Sequence, residues 1–277
     1  MVMQGIAGTY GENDKRTTGR MLDRLRHRGP GRKTIHVDAK ATIGGVAFGR
    51  RLAVAEEKGV AVAGDIALFN RDELAKRYLG EAPDEYTDDD LLLSMYLKSG
   101  PRMFRLLEGG FAVAVSDRGR AVLARDQYGL KPLYISRDKK AGAFSSEIKS
   151  QVLHGVDFVP FPPGKVFVAG KGVGSAGPAP HTARVRMRDS STTSRRIREA
   201  VLEAVESIRG PEGSFNVLLS GGLDSSVVAA SAAKVAGRLE TACVGTEGSM
   251  DMPMASRVAE MIGSRHREKV YDIDEML

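Results

Sequence analysis

The chain has 277 residues, which is enough for two domains at roughly 100–200 residues each. Apolar residues make up 42% and charged residues 27%, so a disordered or collagen-like chain is excluded. With 41 Lys and Arg against 35 Asp and Glu, the net charge of +6 is only mildly basic, and no run of like charges predicts a specific nucleic-acid partner.

The chain contains one cysteine, Cys243. An internal disulfide and a cysteine-rich metal site are therefore excluded, and we predict Cys243 to be a small buried residue. The sequence has no basic leader, and no apolar stretch approaches the ~20 residues of a membrane span. We expect a cytoplasmic protein with no membrane partner.

The first part of the chain, residues 1–168, alternates short strands and helices. Helices are predicted over 14–27 and 88–98, the second with a face formed by Leu91, Leu92, Met95 and Tyr96. A strand interrupted by a glycine is predicted over 58–68. A hairpin is predicted over 112–125, around the turn cluster Asp117-Arg118-Gly119.

Residues 169–182 are dense in Gly and Pro and have no periodicity. We predict a linker over 169–193 that separates two domains, with an ordered surface loop as the alternative.

The remaining chain, 194–277, has the pattern of an α/β domain. It predicts helices over 194–209, from Ser226 to about Val235, and over 251–263, with strands over 215–219 and 239–245. The first strand has few polar interruptions and is predicted to be buried. The first helix has an apolar stripe of Ile197, Val201, Leu202, Val205 and Ile208. Strands that alternate with helices at this spacing predict a parallel sheet.

The segment 220–226, Ser-Gly-Gly-Leu-Asp-Ser-Ser, lies between a predicted strand and a predicted helix. Glycines let backbone N–H groups approach a ligand, and the helix adds its positive end, so we predict a phosphate site. The segment lacks the lysine of a Walker loop. Asp224 would hold phosphate through Mg²⁺. The alternative is an ordinary Gly-Ser turn that caps a helix.

This segment resembles the pyrophosphate loop of the N-type ATP pyrophosphatases, and residues 241–263 resemble the segment after that loop in the asparagine synthetase family. The resemblance implies a partial, adenine nucleotide α hydrolase-like domain over 194–277. It also implies ATP and Mg as cofactors. The implied ATP- and pyrophosphate-binding residues are Leu219, Ser220, Gly221, Gly222, Asp224, Ser225, Ser226 and Val244. Asp251 matches an acidic residue near the loop, and a sheet-core role is the alternative for Val244.

The first half resembles the class II glutamine amidotransferase domain of the same family. The matching pieces are Gly5-Ile6-Ala7-Gly8, His27-Arg28-Gly29-Pro30, Arg51-Leu52, Gly64-Asp65-Ile66, the run from Arg125 to Tyr134, the run from Ser145 to Lys149, and Pro162-Pro163-Gly164. Their order and spacing are more specific than any one of them. The resemblance implies an α+β, Ntn-hydrolase-like αββα sandwich over 1–168.

The chain departs from this family at two catalytic positions. Gln4 stands where the family has its nucleophilic cysteine, and Ala63 stands where an asparagine supports the oxyanion, although the adjacent Gly64 is retained. Loss of one oxyanion donor costs about 2.7–4 kcal/mol of barrier, and loss of the nucleophile removes the reaction path. We therefore predict that this domain does not hydrolyse glutamine.

The family's clamp for an amino-acid substrate is matched at three positions. Arg51 matches the arginine that binds the carboxylate, and Asp65 and Asp88 match acids that hold the α-amino group. Structural ion pairs are the alternative for these charges. His27 and Arg28 are predicted to be structural.

The family's synthetase domain continues for well over a hundred residues beyond the loop, whereas this sequence stops at Leu277. A split enzyme completed by a second chain and a truncated product remain as explanations, and a homo-oligomer is a further possible partner.

The leading hypothesis is an asparagine-synthetase-like, ATP-dependent amide-forming ligase that uses ammonia or an amine. One alternative is a β-lactam-synthetase-like ligase with an internal amine. The other is a non-catalytic subunit that binds a nucleotide or an amino acid.

Overall fold

The computed structural model of the chain describes residues 4–48, 53–80, 86–138, 140–151, 157–175, 189–208 and 213–272. The chain divides into two compact units, Met1–Thr182 and Ala183–Leu277, called unit 1 and unit 2 below.

Unit 1 mixes twelve strands with three α-helices among its described residues. In chain order they are β1 (Gly5–Tyr10), α1 (Lys15–Asp23), β2 (Lys33–Asp38), β3 (Ala41–Val46), β4 (Ala55–Glu57), β5 (Val60–Leu68), α2 (Arg71–Leu79), α3 (Asp88–Ser99), β6 (Gly109–Asp117), β7 (Arg120–Arg125), β8 (Tyr134–Ser136), β9 (Gly142–Ser145), β10 (Phe158–Pro160), β11 (Lys165–Val168) and β12 (Gly172–Ser175).

These strands form two six-stranded sheets, ordered β10-β8-β9-β1-β3-β2 and β12-β11-β7-β6-β5-β4. The inner faces of the two sheets share one apolar core, which includes Ile6, Tyr10, Leu123, Phe144 and Phe167. A second core joins α1 to the first sheet, and a third joins α2 and α3 to the second sheet. Unit 1 is therefore a four-layer αββα sandwich, as the family resemblance implied.

The predicted hairpin and the predicted strand before it are confirmed. β6 and β7 meet at Arg118 and Gly119, whose φ angles of 50° and 82° are the positive pair that a tight hairpin turn requires. β5 carries Gly64 within it. A Cβ there would lie 2.6 Å from the Leu92 Cδ1, so the glycine lets α3 approach the sheet closely.

The predicted helix over 88–98 is confirmed as α3, whereas the one over 14–27 is shorter than predicted. Thr87 begins α3 with a capping box that Asp90 completes. α1 ends at Asp23, and a short 3₁₀ turn, Arg26–Arg28, comes after it. Gly29, which follows this turn, packs against the end of β3, where a Cβ would lie 2.6 Å from the Val46 carbonyl carbon.

The predicted linker is wrong at both of its ends. Gly172–Ser175 pairs with β11 as the edge strand β12, and Gly170 and Gly172 supply the positive φ angles of the turn before it. The next helix begins at Ser190, because Asp189 caps the backbone of Ser191 and Thr192. Of the predicted 169–193, residues 176–188 lie outside the described residues.

Unit 2 contains α4 (Ser190–Ser207), β13 (Ser214–Leu218), α5 (Leu223–Val235), β14 (Arg238–Thr246), α6 (Asp251–Ile262) and β15 (Arg265–Tyr271). The strands form a parallel sheet in the order β13-β14-β15, which confirms the predicted parallel arrangement. α5 begins at Leu223, three residues before the predicted Ser226. Along α4, Val205 is buried, but the predicted stripe residues Ile197 and Ile208 are exposed.

All the described helices of unit 2 pack on one face of its sheet. Leu219, Cys243 and Ala255 share one core there, while Val205 and Phe215 share another. Cys243 is 3% exposed, and the prediction that it is a small buried residue is confirmed.

The opposite face of the unit 2 sheet, on which Leu218 is 78% and Val244 53% exposed, is called the open face below. No described helix covers it. The expectation that 215–219 is a fully buried strand is wrong for this reason. Separately, no described helix is long and apolar enough to cross a membrane.

Candidate functional site

The backbone of Gln4 is held between charged side chains at the start of β1. Its N–H points at the Asp65 Oδ1 at 3.4 Å, and the Arg28 Nε donates to its carbonyl oxygen at 3.0 Å. The Gln4 residue is only 9% exposed. The position to which the resemblance assigns a nucleophile is thus buried and occupied by a carboxamide, which is not a nucleophile of that kind.

A buried ion-pair network surrounds this position. Asp65 is fully buried, with its Oδ2 at 2.7 Å from the Arg28 Nη2 and its Oδ1 at 2.7 Å from the Lys131 Nζ. The Arg28 Nη1 also reaches the Glu147 Oε1 at 3.0 Å. Four of the sequence pieces that carry the family resemblance therefore meet in space, although Arg28 and Glu147 are 119 residues apart.

Glu147, at the outer end of this network, contacts three basic side chains. The Nε2 of His27 lies 2.8 Å from one of its oxygens, and the Lys149 Nζ lies 3.1 Å from the other. Partial burial alone would raise the pKa of Glu147, but hydrogen bonds from His27, Arg28 and Lys149 outweigh it and lower the pKa to about 2.

Ala63 and Gly64 lie in the middle of β5. Ala63 packs in the core between the two sheets and has no side-chain donor. The Gly64 N–H donates to the Asp89 Oδ1 at 2.8 Å. The backbone donor that the resemblance assigns to an oxyanion is therefore already used by a carboxyl group of the chain itself.

Asp89 is the residue that the sequence reasoning missed. It is fully buried, and this burial raises its pKa well above the ordinary value. The hydrogen bond from the Gly64 N–H lowers the pKa, whereas the negative charges of Asp88 and Asp90 raise it further. The Gln4 side chain also acts to lower it. Neither Asp89 Oδ2 nor Gln4 Oε1 has a hydrogen-bond partner among the described residues. A proton on Asp89 would reduce the cost of burying two such acceptors, so the carboxyl is best kept neutral.

The two described members of the predicted amino-acid clamp each have partners within the chain. Asp65 is taken up by Arg28 and Lys131, while Asp88 pairs with the Arg71 Nε at 2.6 Å. Arg51 lies outside the described residues. The two carboxylates thus have separate structural partners.

In unit 2, the predicted phosphate loop connects β13 to α5. The Ser220 and Ser225 hydroxyls lie 3.0 Å apart, and the Gly222 N–H points at the Ser220 Oγ at 3.4 Å. Gly222 is the residue before the helix, and Asp224 lies in its first turn. Hydroxyls and the first N–H groups of α5 therefore lie together at one exposed helix start, which suits an anion.

The two glycines of this loop have different surroundings. Gly221 has a φ of +74°, and a Cβ there would lie 2.5 Å from the Met254 Cβ, because α6 packs on the loop. At Gly222 a Cβ would meet only the Ser220 Oγ, at 3.4 Å, so the space above it is open. The Ser226 Oγ is buried and has no partner among the described residues. Because this oxygen has no exposed surface, the structure offers the Ser220 and Ser225 hydroxyls, and not that of Ser226, to a phosphate group.

The remaining predicted residues lie near the same edge of the sheet. Val244 is half exposed towards the carboxyl end of β14, whereas the Leu219 side chain is 1% exposed in the core and offers only its backbone. Asp251 begins α6 and is exposed. Ligands of parallel sheets bind at this edge. No three His, Cys, Asp or Glu side chains converge on a metal site anywhere in the described ranges, so Asp224 is a single candidate ligand.

Comparison with known families assigns both units. The model of the family described as the glutamine amidotransferase domain matches residues 3–159. The chain belongs to this family. The model described as asparagine synthase matches residues 196–277, and the order of the two matches places the chain with the asparagine synthetases.

Curated relatives give the same assignment along the whole chain. Asparagine synthetase [glutamine-hydrolyzing] 2 of Arabidopsis thaliana is 28% identical over 99% of this chain and 52% of that relative. Asparagine synthetase [glutamine-hydrolyzing] of Asparagus officinalis is 29% identical over 99% of this chain and 50% of that relative. The chain thus spans about half the length of these asparagine synthetases.

Solved structures share the fold at low sequence identity. The glutamine phosphoribosylpyrophosphate amidotransferase from B. subtilis, complexed with ADP and GMP, matches with a TM-score of 0.55 and 13% identity, covering 99% of this chain and 92% of that chain. A second structure, described as the allosteric regulatory enzyme of purine biosynthesis, has a TM-score of 0.56, 14% identity and coverages of 96% and 80%. These matches agree with an Ntn-like α+β fold.

Proposed function

We propose that this chain is an asparagine-synthetase-like component of an ATP-dependent amide-forming ligase. In that reaction ATP activates a side-chain carboxylate, pyrophosphate leaves, and ammonia or an amine is the nucleophile. The observation that carries the proposal is the loop between β13 and α5, where an open glycine and two paired, exposed hydroxyls lie at a helix start.

The loop residues would bind the pyrophosphate part of the nucleotide. Gly222 and the first N–H groups of α5 would supply backbone donors, and Ser220 and Ser225 would supply hydroxyls. Mg²⁺, when bound, would neutralise phosphate charge, and Asp224 is the carboxylate placed to hold it. Val244 is exposed enough to contact the adenine, whereas Leu219 acts through its backbone.

Glutamine hydrolysis is not part of the proposed function. Gln4 cannot attack a carboxamide, Ala63 donates nothing, and the Gly64 N–H is bonded to Asp89 at 2.8 Å. All three components that the family's reaction needs are therefore missing or occupied. Free ammonia or an amine substrate is therefore the proposed nucleophile. The same observations would fit a ligase that uses an internal amine.

A non-catalytic binding subunit is the second candidate, and the open face of unit 2 favours it. Leu218 lies beside Ala242 in the sheet, and with Val244 these residues form a small exposed apolar patch, bordered by the Glu240–Arg267 ion pair, that no described helix covers. Such a surface supports a partner that completes the sheet domain. We propose a second chain for this role, with a further copy of this chain as the other outcome.

The test is release of AMP and pyrophosphate from Mg·ATP in the presence of aspartate and ammonia, for the chain alone and with any candidate partner. Asp224→Ala should abolish release, whereas Glu203→Gln, which removes an exposed carboxylate on α4, should not change it. Replacing ammonia by glutamine should abolish release as well.

The other outcomes separate the candidates. ATP-dependent thermal stabilisation without release would support the binding subunit. If glutamine supports release as well as ammonia does, the proposal of an inactive glutaminase is wrong. If ATP neither stabilises the fold nor is consumed, the phosphate-site proposal is wrong.

A further inference from the structure

Unit 1 contains a cavity that is separate from the Gln4 cluster and is called the aromatic pocket below. It has a volume of about 370 Å³ and lies where β5 ends and β6 begins. Its apolar lining consists mainly of Phe69, Phe104, Phe111, Tyr128 and Leu130. This volume falls within the roughly 300–1,000 Å³ of small-molecule sites, which are also lined mostly by apolar and aromatic side chains.

One wall of the aromatic pocket is fixed by hydrogen bonds between two turns. The Phe69 N–H donates to the Glu108 carbonyl oxygen at 2.8 Å. The Asn70 side chain spans the same turns, donating to the Leu106 carbonyl oxygen at 2.9 Å and accepting from the Glu108 N–H at 3.2 Å. Phe69, which is 47% exposed, is therefore held on a rigid support.

A second part of the lining is fixed by a buried carboxylate. Asp126 is fully buried and accepts the backbone N–H groups of Tyr128, Leu130 and Lys131 at 3.0, 2.9 and 3.0 Å. The loop therefore holds Tyr128 at 70% and Leu130 at 59% exposure in a fixed conformation. Exposed apolar groups on a preorganised loop are typical of a binding surface, because binding then costs little ordering entropy.

Two opposite charges complete the lining. Arg105 and Glu108 both border the pocket, and both are exposed. Neither side chain makes a hydrogen bond or ion pair to any residue in the part of the chain that the structure describes, although most acidic side chains of unit 1 are paired. An arginine matches a carboxylate, and a glutamate matches an ammonium group.

We propose that the aromatic pocket binds a free α-amino acid with a large apolar side chain. The side chain would lie among the aromatic residues, the carboxylate would pair with Arg105, and the ammonium group would pair with Glu108. None of these residues belongs to the Gln4 cluster or to the phosphate loop, so the inference stands independently of the ligase proposal.

The test is calorimetric titration of the full chain with L-phenylalanine, compared with phenethylamine and 3-phenylpropionate, which each lack one charge. We expect L-phenylalanine to bind at least about tenfold more tightly than either analogue. Arg105→Ala and Glu108→Gln should each weaken binding of L-phenylalanine about tenfold, whereas Arg102→Ala and Glu12→Gln, which remove nearby or similar exposed charges outside the pocket, should leave it unchanged. Circular dichroism melts would establish that every variant is folded.

Three results would overturn the proposal. The first is no heat of binding and no saturation-transfer NMR signal for any of the three compounds at millimolar concentration. The second is equal affinity for all three, which would mean an apolar site without amino-acid recognition. The third is binding that persists in Phe69→Ala and Tyr128→Ala, which would place the ligand elsewhere.

Discussion

Three consecutive aspartates at the start of α3 have three different environments. Asp88 pairs with Arg71 at the surface, Asp90 completes the capping box with Thr87, and Asp89 is fully buried against Gly64. A helix turns by about 100° per residue, so neighbours with the same chemistry face different surroundings. The position of Asp89 three, four and seven residues before Leu92, Leu93 and Tyr96 is the signal in the sequence that it belongs to the buried face.

Replacement of Asp89 by asparagine should stabilise unit 1 at neutral pH. Burial raises the pKa of Asp89 well above the ordinary 3.8, so above about pH 4 the folded state holds more protons than the unfolded state. The free energy of unfolding therefore falls as pH rises from about 4 towards the folded-state pKa. An asparagine at this position keeps the acceptor for the Gly64 N–H and carries no charge, so Asp89→Asn should gain on the order of 1–3 kcal/mol at pH 7.

Urea unfolding of both proteins between pH 4 and pH 8 would measure this gain. The advantage of the variant should vanish near pH 4 and grow with pH, whereas Asp72→Asn, at an exposed helix start, should show no such trend. A pH-independent difference would contradict a neutral, buried Asp89.

Glu147 should show the opposite dependence on pH. Its pKa is lowered to about 2 from the ordinary 4.5, so the folded state holds fewer protons than the unfolded state between these values. Its contribution to stability is complete above about pH 4.5 and is lost as pH falls towards 2. Glu147→Gln should therefore cost about 1–3 kcal/mol at pH 7, because it leaves the partly buried Arg28 short of a charged partner.

The measurement is the urea midpoint of Glu147→Gln and wild type from pH 3 to pH 7. The gap should narrow as the pH is lowered. Glu12→Gln, which removes an exposed carboxylate outside the network, should leave the midpoint unchanged at every pH. A gap that stays constant would mean that Glu147 contributes by packing alone.

Among the helices and strands, those with a strong local pattern could be predicted from the sequence, whereas the edge strand β12 and the exposure of β13 could not. α3 and the β6–β7 hairpin follow from apolar periodicity and turn residues. β12 was missed because Gly172–Ser175 has no alternation of its own and becomes a strand only by pairing with β11. The apolar run of β13 predicted burial on both faces, but burial depends on which helices cover the sheet, and Leu218 has none among the described residues.

The strand–loop–helix element predicts different outcomes for its two glycines. In Gly221→Ala, the new Cβ would meet α6 at 2.5 Å and would also force a strained positive φ, so unit 2 should lose stability by about 1–3 kcal/mol. In Gly222→Ala, the fold should tolerate the methyl group, which would instead lie at the proposed phosphate site and weaken ATP binding.

Thermal melts of both variants, each with and without Mg·ATP, would separate the two effects. Gly221→Ala should melt earlier in either condition. Gly222→Ala should melt like wild type without ATP but gain less from its addition. Equal ATP stabilisation of wild type and Gly222→Ala would argue that the nucleotide does not lie over this glycine.

At the scale of the whole molecule, the family resemblance predicted which sequence segments form the site, but not which of their side chains contact one another. Arg28, Asp65, Lys131 and Glu147 come from distant parts of the chain and form one network around Gln4. Their partnerships depend on the stacking of two sheets, which no local pattern encodes. The same stacking leaves Asp65 fully paired with Arg28 and Lys131, so a carboxylate that matches the substrate clamp in the sequence is part of an ion-pair network here.

The open face of unit 2 should make the purified chain associate with itself when no partner is present. Leu218 is 78% exposed, and Val244, two residues beyond the Ala242 that Leu218 pairs with, is 53% exposed; burial of one leucine is worth about 1.5–3 kcal/mol. Leu218→Ser should therefore raise the dissociation constant for self-association at least about tenfold, as measured by sedimentation velocity over a range of concentrations. Ile197→Ser removes a similar exposed side chain from α4 and should have no effect, because Ile197 does not lie on the sheet. If wild type stays monomeric at every concentration, a second copy is not the occupant of the open face, and the proposed second chain becomes the partner to isolate.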